Sequence, residues 1–192
     1  MSFWTISLLA LYGVIAMLNL VFAFSWWTAL YMLISLAIVM LPAAIFLFVG
    51  RALPKKWFSN DKLMFRENKF KNWICKITNV KSWKDKIPVG GHVAGFRMNK
   101  LDNPKDVEYL NRYIYESCFA DWLHSSCAIW GILSLAIVAI IDVNVMLKMA
   151  LPFALVFFYQ NMTSVIIQWY MRPRITKLRD NVAKRLEREQ AK

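Results

Sequence analysis

Charged residues are missing from the first quarter of the chain, because none of residues 1–50 is Asp, Glu, Lys or Arg. Charged residues make up only 19% of the whole sequence, and hydrophobic residues reach 58%, against the roughly 45–50% apolar content of ordinary domains. A single domain of 192 residues cannot bury that much apolar surface in its own core. The composition excludes a disordered or collagen-like chain and favours an integral membrane protein.

Cysteine and histidine are also scarce. The three cysteines, Cys75, Cys118 and Cys127, form no C-x-x-C pair, which argues against a disulfide framework and against a structural zinc site. The two histidines, His92 and His124, are too few for the multi-histidine site of a membrane di-iron enzyme. We therefore expect free thiols and no bound metal.

Acidic residues are outnumbered two to one, with 12 Asp and Glu against 24 Lys and Arg, so that the net charge is +12. Such a basic chain suits either nucleic acid or an anionic membrane surface. The cations flank apolar segments, and neither a base-stacking platform nor a groove-reading helix is evident. We expect membrane lipids as partners and no nucleic acid.

Two apolar blocks are each long enough for two transmembrane helices of about 20 residues. We predict an all-α integral membrane fold of four transmembrane helices in two hairpins, although segments that enter the bilayer without crossing it are the alternative. A short loop, Asp142–Lys148, is expected to turn the second hairpin. The predicted spans are Phe3–Phe24, Trp26–Val49, Ser125–Leu147 and Met149–Met171.

The chain is predicted to form one membrane domain over residues 1–192. Its parts are an N-terminal hairpin at 1–50, a basic interfacial region at 51–118, a C-terminal hairpin at 119–171 and a basic tail at 172–192. With four spans, 23 of the 24 Lys and Arg residues fall on one side of the bilayer, and Lys148 falls on the other. The positive-inside rule makes the first side cytoplasmic. We expect a multi-pass protein of the cell membrane with both termini in the cytoplasm.

Aromatic residues alternate with lysines between Arg51 and Tyr115. We expect this region to lie on the bilayer surface, because aromatic rings suit the headgroup level and lysine stems can snorkel. The tail is predicted to form a surface-lying amphipathic helix with Pro173 at its first position. The apolar face of that helix would hold Ile175, Leu178, Val182 and Leu186.

His124 is the histidine with acidic residues at helical reach. At about 100° per residue it lies about 80° from Glu116 and about 60° from Asp121, so that all three can share one side of a helix. A histidine beside a carboxylate is the usual general base for a hydroxyl. The spacing of Asp121 and His124 also occurs in helical metal sites, and a solvated helix end is the third interpretation.

Two further groups are candidates for binding anions. His92 follows Gly90 and Gly91, whose turn can present backbone N–H groups to an oxyanion, although a plain surface turn has the same sequence. Arg172 and Arg174 directly follow the last predicted span. Two guanidiniums at headgroup depth suit a phosphate, although stop-transfer charges give the same pattern.

Four short motifs follow one another along the chain. They are Leu-Pro-x-x-Trp-Phe at 53–58, Trp-Lys-x-Lys-Ile-Pro-x-Gly at 83–90, Glu-x-x-x-Ala-Asp-x-x-His at 116–124, and Asn161 followed by Gln-x-Tyr-x-Arg-Pro-Arg-Ile-Thr at 168–176. In this order they resemble the glycosyl-4,4'-diaponeurosporenoate acyltransferase family, small membrane enzymes of the staphyloxanthin type of carotenoid pathway. The resemblance covers roughly residues 53–180.

The resemblance implies transfer of a fatty acyl group to a sugar hydroxyl of a lipid-linked, carotenoid-type glycoside. The co-substrate would be an activated acyl carrier such as acyl-CoA, with no further cofactor. Asp121 stands where the family pattern has Glu, which shortens its reach by one methylene. A non-catalytic membrane scaffold and a metal-dependent membrane enzyme using Asp121 and His124 are the alternatives. The candidate catalytic residues are His124, Glu116, Asp121 and, second in rank, His92; the candidate donor-binding residues are Arg172, Arg174, Lys84 and Trp83.

Overall fold

The computed structural model describes residues 26–87 and 101–191, together with Ala10, Gly13, Val14, Met17 and Val21. These described residues form helices and connecting turns, and they include no strand. Three of the described helices are long and apolar enough to cross a membrane. The all-α class is therefore confirmed for the described residues, with three helices that are candidate membrane spans. The predicted first span, Phe3–Phe24, lies mostly outside the described residues, so the count of four spans and the arrangement in two hairpins stay predictions.

The first described helix, α1, covers Trp26–Ala52 and begins where the second span was predicted to begin. A 3₁₀ turn at Lys55–Phe58 follows it. Two short helices come next, α2 at Lys69–Ile77 and α3 at Val80–Trp83, and a second 3₁₀ turn covers Lys84–Lys86.

Helix α4 covers Val107–Ile141 and begins well before the predicted start at Ser125. The sequence before Ser125 is polar on average, but it has a face at i, i+3, i+4 and i+7 spacing that the fold buries. This amphipathic face, rather than overall hydropathy, extends the helix toward its N-terminus. The buried residues of the face are Leu110, Tyr113, Ile114, Ser117, Cys118 and Asp121.

The predicted loop Asp142–Lys148 is wrong in extent. Only Asp142 is non-helical, and its carboxylate accepts hydrogen bonds from the N–H groups of Asn144 at 2.7 Å and Val145 at 3.2 Å. The helical turn α5 at Val143–Val145 starts on that cap and continues into a π-helical turn at Met146–Ala150. One capping aspartate thus replaces a loop.

Helix α6 covers Leu151–Gln190 and contains Pro173 in its interior. The prediction that Pro173 starts a separate tail helix is therefore wrong. Proline removes one backbone donor, but the helix is held on both sides of it because Arg172 and Ile175 are buried at 1% and 3% exposure. The apolar face predicted for the tail becomes less buried along the chain, and Leu186 is exposed.

The chain divides into two compact units. The first unit combines Met1–Ala52 with Leu123–Thr163, and the second combines Leu53–Trp122 with Ser164–Lys192. The long helices α4 and α6 each contribute residues to both units.

In the first unit, α1 packs on parts of α4 and α6. Val39, Cys127 and Phe157 form one buried cluster. Gly131 permits a close approach there, because a Cβ atom at this position would lie 3.1 Å from the Phe157 ring. A second buried cluster holds Val138, Val145, Met149 and Ala150.

A proline inside an apolar helix leaves one backbone carbonyl without its helical donor, and neighbouring groups must replace that donor in lipid. Pro42 has no N–H for the carbonyl of Ile38, four residues before it, and Trp130 Nε1 on α4 donates to that carbonyl at 2.9 Å. Pro152 likewise cannot donate to the carbonyl of Lys148. The π-helical turn at Met146–Ala150 contains Lys148 and ends two residues before Pro152.

The second unit has an aromatic core that includes Phe58 and Phe65, so these two rings of residues 51–115 do not lie at the headgroup level as expected. Phe58 is 3% exposed, and its ring contacts four other rings at centroid distances of 5.4–6.4 Å. Edge-to-face contacts of this kind stabilise a core beyond the area they bury. The four partner rings belong to Phe65, Tyr115, Phe119 and Trp122.

Candidate functional site

His124 lies half-buried on α4, in the first unit, and is hydrogen-bonded to Asn161 on α6. The distance between His124 Nδ1 and Asn161 Oδ1 is 2.8 Å. Asn161 is 6% exposed, and its Nδ2 donates to the backbone carbonyl of Phe157 at 2.8 Å. A carbonyl can only accept, so this second bond fixes which end of the amide faces the histidine.

The orientation of the amide determines the tautomer of the imidazole. Asn161 Oδ1 is an acceptor, so Nδ1 of His124 must carry the proton that it shares. In the neutral ring, Nε2 then holds the lone pair. The hydrogen bond to Asn161 therefore orients the ring through Nδ1 and leaves Nε2 as the acceptor nitrogen of the neutral imidazole.

Asp121 and Arg172 form a buried ion pair in the second unit. Arg172 Nη2 lies 2.6 Å from Asp121 Oδ2, and both side chains are 2% exposed. Trp169 Nε1 also donates to the carboxylate, at 3.2 and 3.3 Å from its two oxygens. A buried pair is tolerated only when both charges are hydrogen-bonded as well as paired.

The guanidinium of Arg172 connects three segments of the second unit. Its Nε donates to Ser117 Oγ at 3.2 Å, Nη1 to the carbonyl of Phe65 at 2.8 Å, and Nη2 to the carbonyl of Ser117 at 3.3 Å. Arg172 was expected to bind an anionic group at the membrane surface. Its burial and its donors to protein acceptors instead favour a role in holding α4, α6 and the turn at Phe65 together.

A second cation, Lys71 on α2, is buried in the same unit at 8% exposure. Its Nζ donates to the carbonyls of Met64 and Arg66 and lies 5.5 Å from the centroid of the Trp169 ring. Burial lowers the pKa of Lys71 below its ordinary value of 10.5, and the negative charge of Asp121 partly opposes that shift. This part of the unit therefore places two cations and one carboxylate in its interior.

The other predicted site residues within the described ranges are Glu116, Arg174, Trp83 and Lys84. Glu116 is half-buried on α4. Arg174 is exposed, and its guanidinium carbon lies 3.5 Å from the centroid of the Tyr170 ring. Trp83 Nε1 donates to the carbonyl of Thr78 at 2.7 Å, and Lys84 is paired with Asp85. His92 and the turn before it lie outside the described residues.

Sequence reasoning missed several of the side chains that surround these groups. Asn161 was visible only as part of the last motif, while Lys71, Ser117 and Trp169 carried no signal as single residues. Gln168 is a further case. It is 2% exposed, and its Oε1 accepts no hydrogen bond from the described residues. Within the described part of the chain, no group of three or more His, Cys, Asp or Glu side chains is placed to hold a metal ion.

Comparison with known protein families gave a match. A family model described as CrtO, glycosyl-4,4'-diaponeurosporenoate acyltransferase, matches residues 54–181. That range includes His124, Asn161 and the Asp121–Arg172 pair. The chain matched no curated protein and no solved structure.

Proposed function

Because the chain belongs to the glycosyl-4,4'-diaponeurosporenoate acyltransferase family, we propose that it transfers a fatty acyl group to a sugar hydroxyl of a carotenoid-type glycoside, with His124 as the general base. The family is one of acyltransferases, and the apolar helices suit lipid substrates. The observation that carries the mechanism is the hydrogen bond between His124 Nδ1 and Asn161 Oδ1.

A free hydroxyl is a weak nucleophile at neutral pH and needs a base in the transition state. His124 Nε2 takes the hydroxyl proton while the oxygen bonds to the acyl carbonyl carbon. With a thioester donor such as acyl-CoA, the carbon–sulfur bond then breaks, and the departing thiolate takes the proton from the imidazolium. The products are an ester and a thiol, so the atoms and charges balance without a further cofactor.

Asn161 is proposed as the positioning residue for His124. An amide oxygen holds the ring in the required tautomer, as in proteases that use a Cys-His-Asn set. It stabilises the developing imidazolium less than a carboxylate does. Glu116 and Asp121 were the expected orienting groups. Asp121 instead accepts from Arg172 and Trp169 within the second unit.

Arg174 is proposed to bind an anionic group of the acyl donor. Its guanidinium is exposed, and the stack on Tyr170 holds it in one orientation, which lowers the entropy lost when an anion binds. With Arg172 buried, Arg174 is the guanidinium of the motif that an anionic donor can reach.

Lipid mass spectrometry tests the reaction. Membranes from cells that make the carotenoid glycoside are compared with and without this chain, and an acylated glycoside is expected only with it. In the same assay His124→Gln retains hydrogen bonding but loses basicity, so turnover should fall by roughly 10²–10⁴-fold. Near-full turnover in folded His124→Gln protein would contradict the general-base assignment.

Asn161 variants test the positioning role in the same assay. Asn161→Ala removes the acceptor and should lower kcat by about tenfold or more with little change in KM. Asn161→Asp keeps an acceptor at Nδ1 but loses the donor to the Phe157 carbonyl, so it should recover only part of the lost kcat. If Asn161→Ala leaves kcat unchanged, Asn161 does not act by orienting the ring.

A further inference from the structure

Helix α2, Lys69–Ile77, presents an apolar face to the outside of the second unit. Phe70, Trp73 and Ile77 lie at helical positions i, i+3 and i+7, on one side of the helix. They are 60%, 55% and 60% exposed, and the Phe70 and Trp73 rings contact each other with centroids 6.2 Å apart. Three large exposed side chains on one short helix form a patch rather than scattered surface residues. We call these three residues the aromatic face.

The opposite side of α2 is fixed to the unit. Lys71 is buried and donates to the carbonyls of Met64 and Arg66, and Cys75, one turn later, lies with its Sγ 3.8 Å from the carbonyl of Ile166 on α6. The capping bond from Lys71 N to Asn68 Oδ1, at 2.8 Å, fixes the start of the helix. The aromatic face is therefore held in a constant orientation, and its exposure does not come from fraying of the helix.

Positive charge lies beside the aromatic face. Lys69 and Lys76 are exposed on α2, at helix angles next to Trp73 and Ile77. The segment that Lys71 holds against the helix is also apolar and exposed at Leu63 and Met64, which are 84% and 43% exposed. Aromatic and aliphatic side chains bordered by lysines are the composition of helices that lie in the interface of an anionic bilayer.

We propose that α2 is an interfacial anchor whose aromatic face enters the headgroup and upper acyl region of an anionic lipid leaflet. The second unit contains stretches of α4 and α6, and both helices are long and apolar enough to cross a membrane. The continuous chain therefore keeps the second unit close to a bilayer that these helices enter. A second copy of the chain is a poorer occupant, because the net charge of +12 repels a like surface. This proposal does not depend on the reaction.

Photocrosslinking in proteoliposomes of the full chain tests the occupant. A benzophenone amino acid replaces Trp73 in one variant and Ile77 in a second. The second position keeps the test informative if the first variant misfolds. The matched control carries the same group at Asn72, which is exposed on a different side of α2. Mass spectrometry of the illuminated protein then identifies what is attached.

We expect a lipid adduct at positions 73 and 77 that is at least fivefold more abundant than at position 72. In vesicles of phosphatidylcholine with phosphatidylglycerol, Lys69→Gln combined with Lys76→Gln should lower the adduct severalfold. The same double substitution should change it little in phosphatidylcholine alone. Adducts to a second copy of the chain, adducts to another segment of the same chain, or labelling equal to the Asn72 control would each overturn the proposal.

Discussion

At the scale of single residues, burial of Arg172 and Asp121 indicates that this pair has a structural role. The guanidinium follows an apolar segment in the sequence and has the pattern of a stop-transfer charge, yet it is 1% exposed. Since a buried guanidinium needs a counter-charge and acceptors, its environment is built from Asp121, Ser117 and the carbonyl of Phe65. Arg174, two residues later, is exposed and is therefore a natural control.

Removing one member of the buried pair should destabilise the protein strongly. Asp121→Ala leaves the guanidinium without its counter-charge, at a cost of about 3–5 kcal/mol, and Arg172→Gln should have a similar effect. Thermal unfolding in detergent measures this. Arg174→Gln should leave the unfolding temperature near the parent value and instead raise the KM for the acyl donor by about tenfold. Equal unfolding temperatures for Arg172→Gln and Arg174→Gln would contradict the structural role.

The buried Lys71 should make the free energy of unfolding of the protein depend on pH. Burial lowers the pKa of Lys71 in the folded protein below 10.5, so between the two values the unfolded chain holds more protons than the folded one. Stability then rises with pH in that window. Relative to Lys71→Met, the parent should gain stability as the pH rises from the lowered pKa of Lys71 toward 10.5. Unfolding midpoints of both proteins across this range check the sign, and a difference that shrinks with rising pH would contradict it.

At the level of the helices, Trp130 on α4 replaces the hydrogen-bond donor that Pro42 removes from α1. Proline leaves the carbonyl of Ile38 without its helical donor, and the indole of Trp130 supplies a replacement at 2.9 Å. An apolar helix cannot obtain that donor from water inside a bilayer, which explains why a tryptophan with its N–H group directed at α1 is needed there.

A double-mutant cycle tests this pairing. Trp130→Phe should destabilise the protein by about 1–3 kcal/mol, because the carbonyl loses its donor. In a Pro42→Ala background the backbone N–H returns, so the same Trp130→Phe change should cost measurably less. Unfolding free energies of the four proteins give the coupling. Additive costs would show that the indole contributes packing alone.

For the whole molecule, the distribution of charge predicts the orientation in the membrane. Ser59 precedes a basic segment, whereas Asn144 follows the Asp142 cap near the single isolated cation, Lys148. The positive-inside rule places Ser59 in the cytoplasm and Asn144 outside. A membrane-impermeant maleimide applied to intact cells should therefore label Asn144→Cys and not Ser59→Cys. Labelling of Ser59→Cys from outside would reverse the orientation.

The features that the sequence predicted correctly depend on short stretches of chain. Long apolar runs identified the helical membrane class and the start of α1 at Trp26, because the cost of placing polar groups in lipid acts on each segment separately. The ordered motifs between residues 53 and 176 identified the family. Helix ends were less predictable. A single capping aspartate replaced a loop at Asp142, and an amphipathic face carried α4 back to Val107.

The sequence by itself therefore determined the membrane class, the family and the position of His124 on a long helix. Only the tertiary structure decided that Asn161, 37 residues away, holds the ring of His124, and that the Arg172 side chain lies inside the protein rather than at its surface. The physical reason is the distance along the chain over which each interaction acts. Hydropathy and helix periodicity act between neighbours in the chain, whereas the partner of a buried polar group is chosen by packing between distant segments.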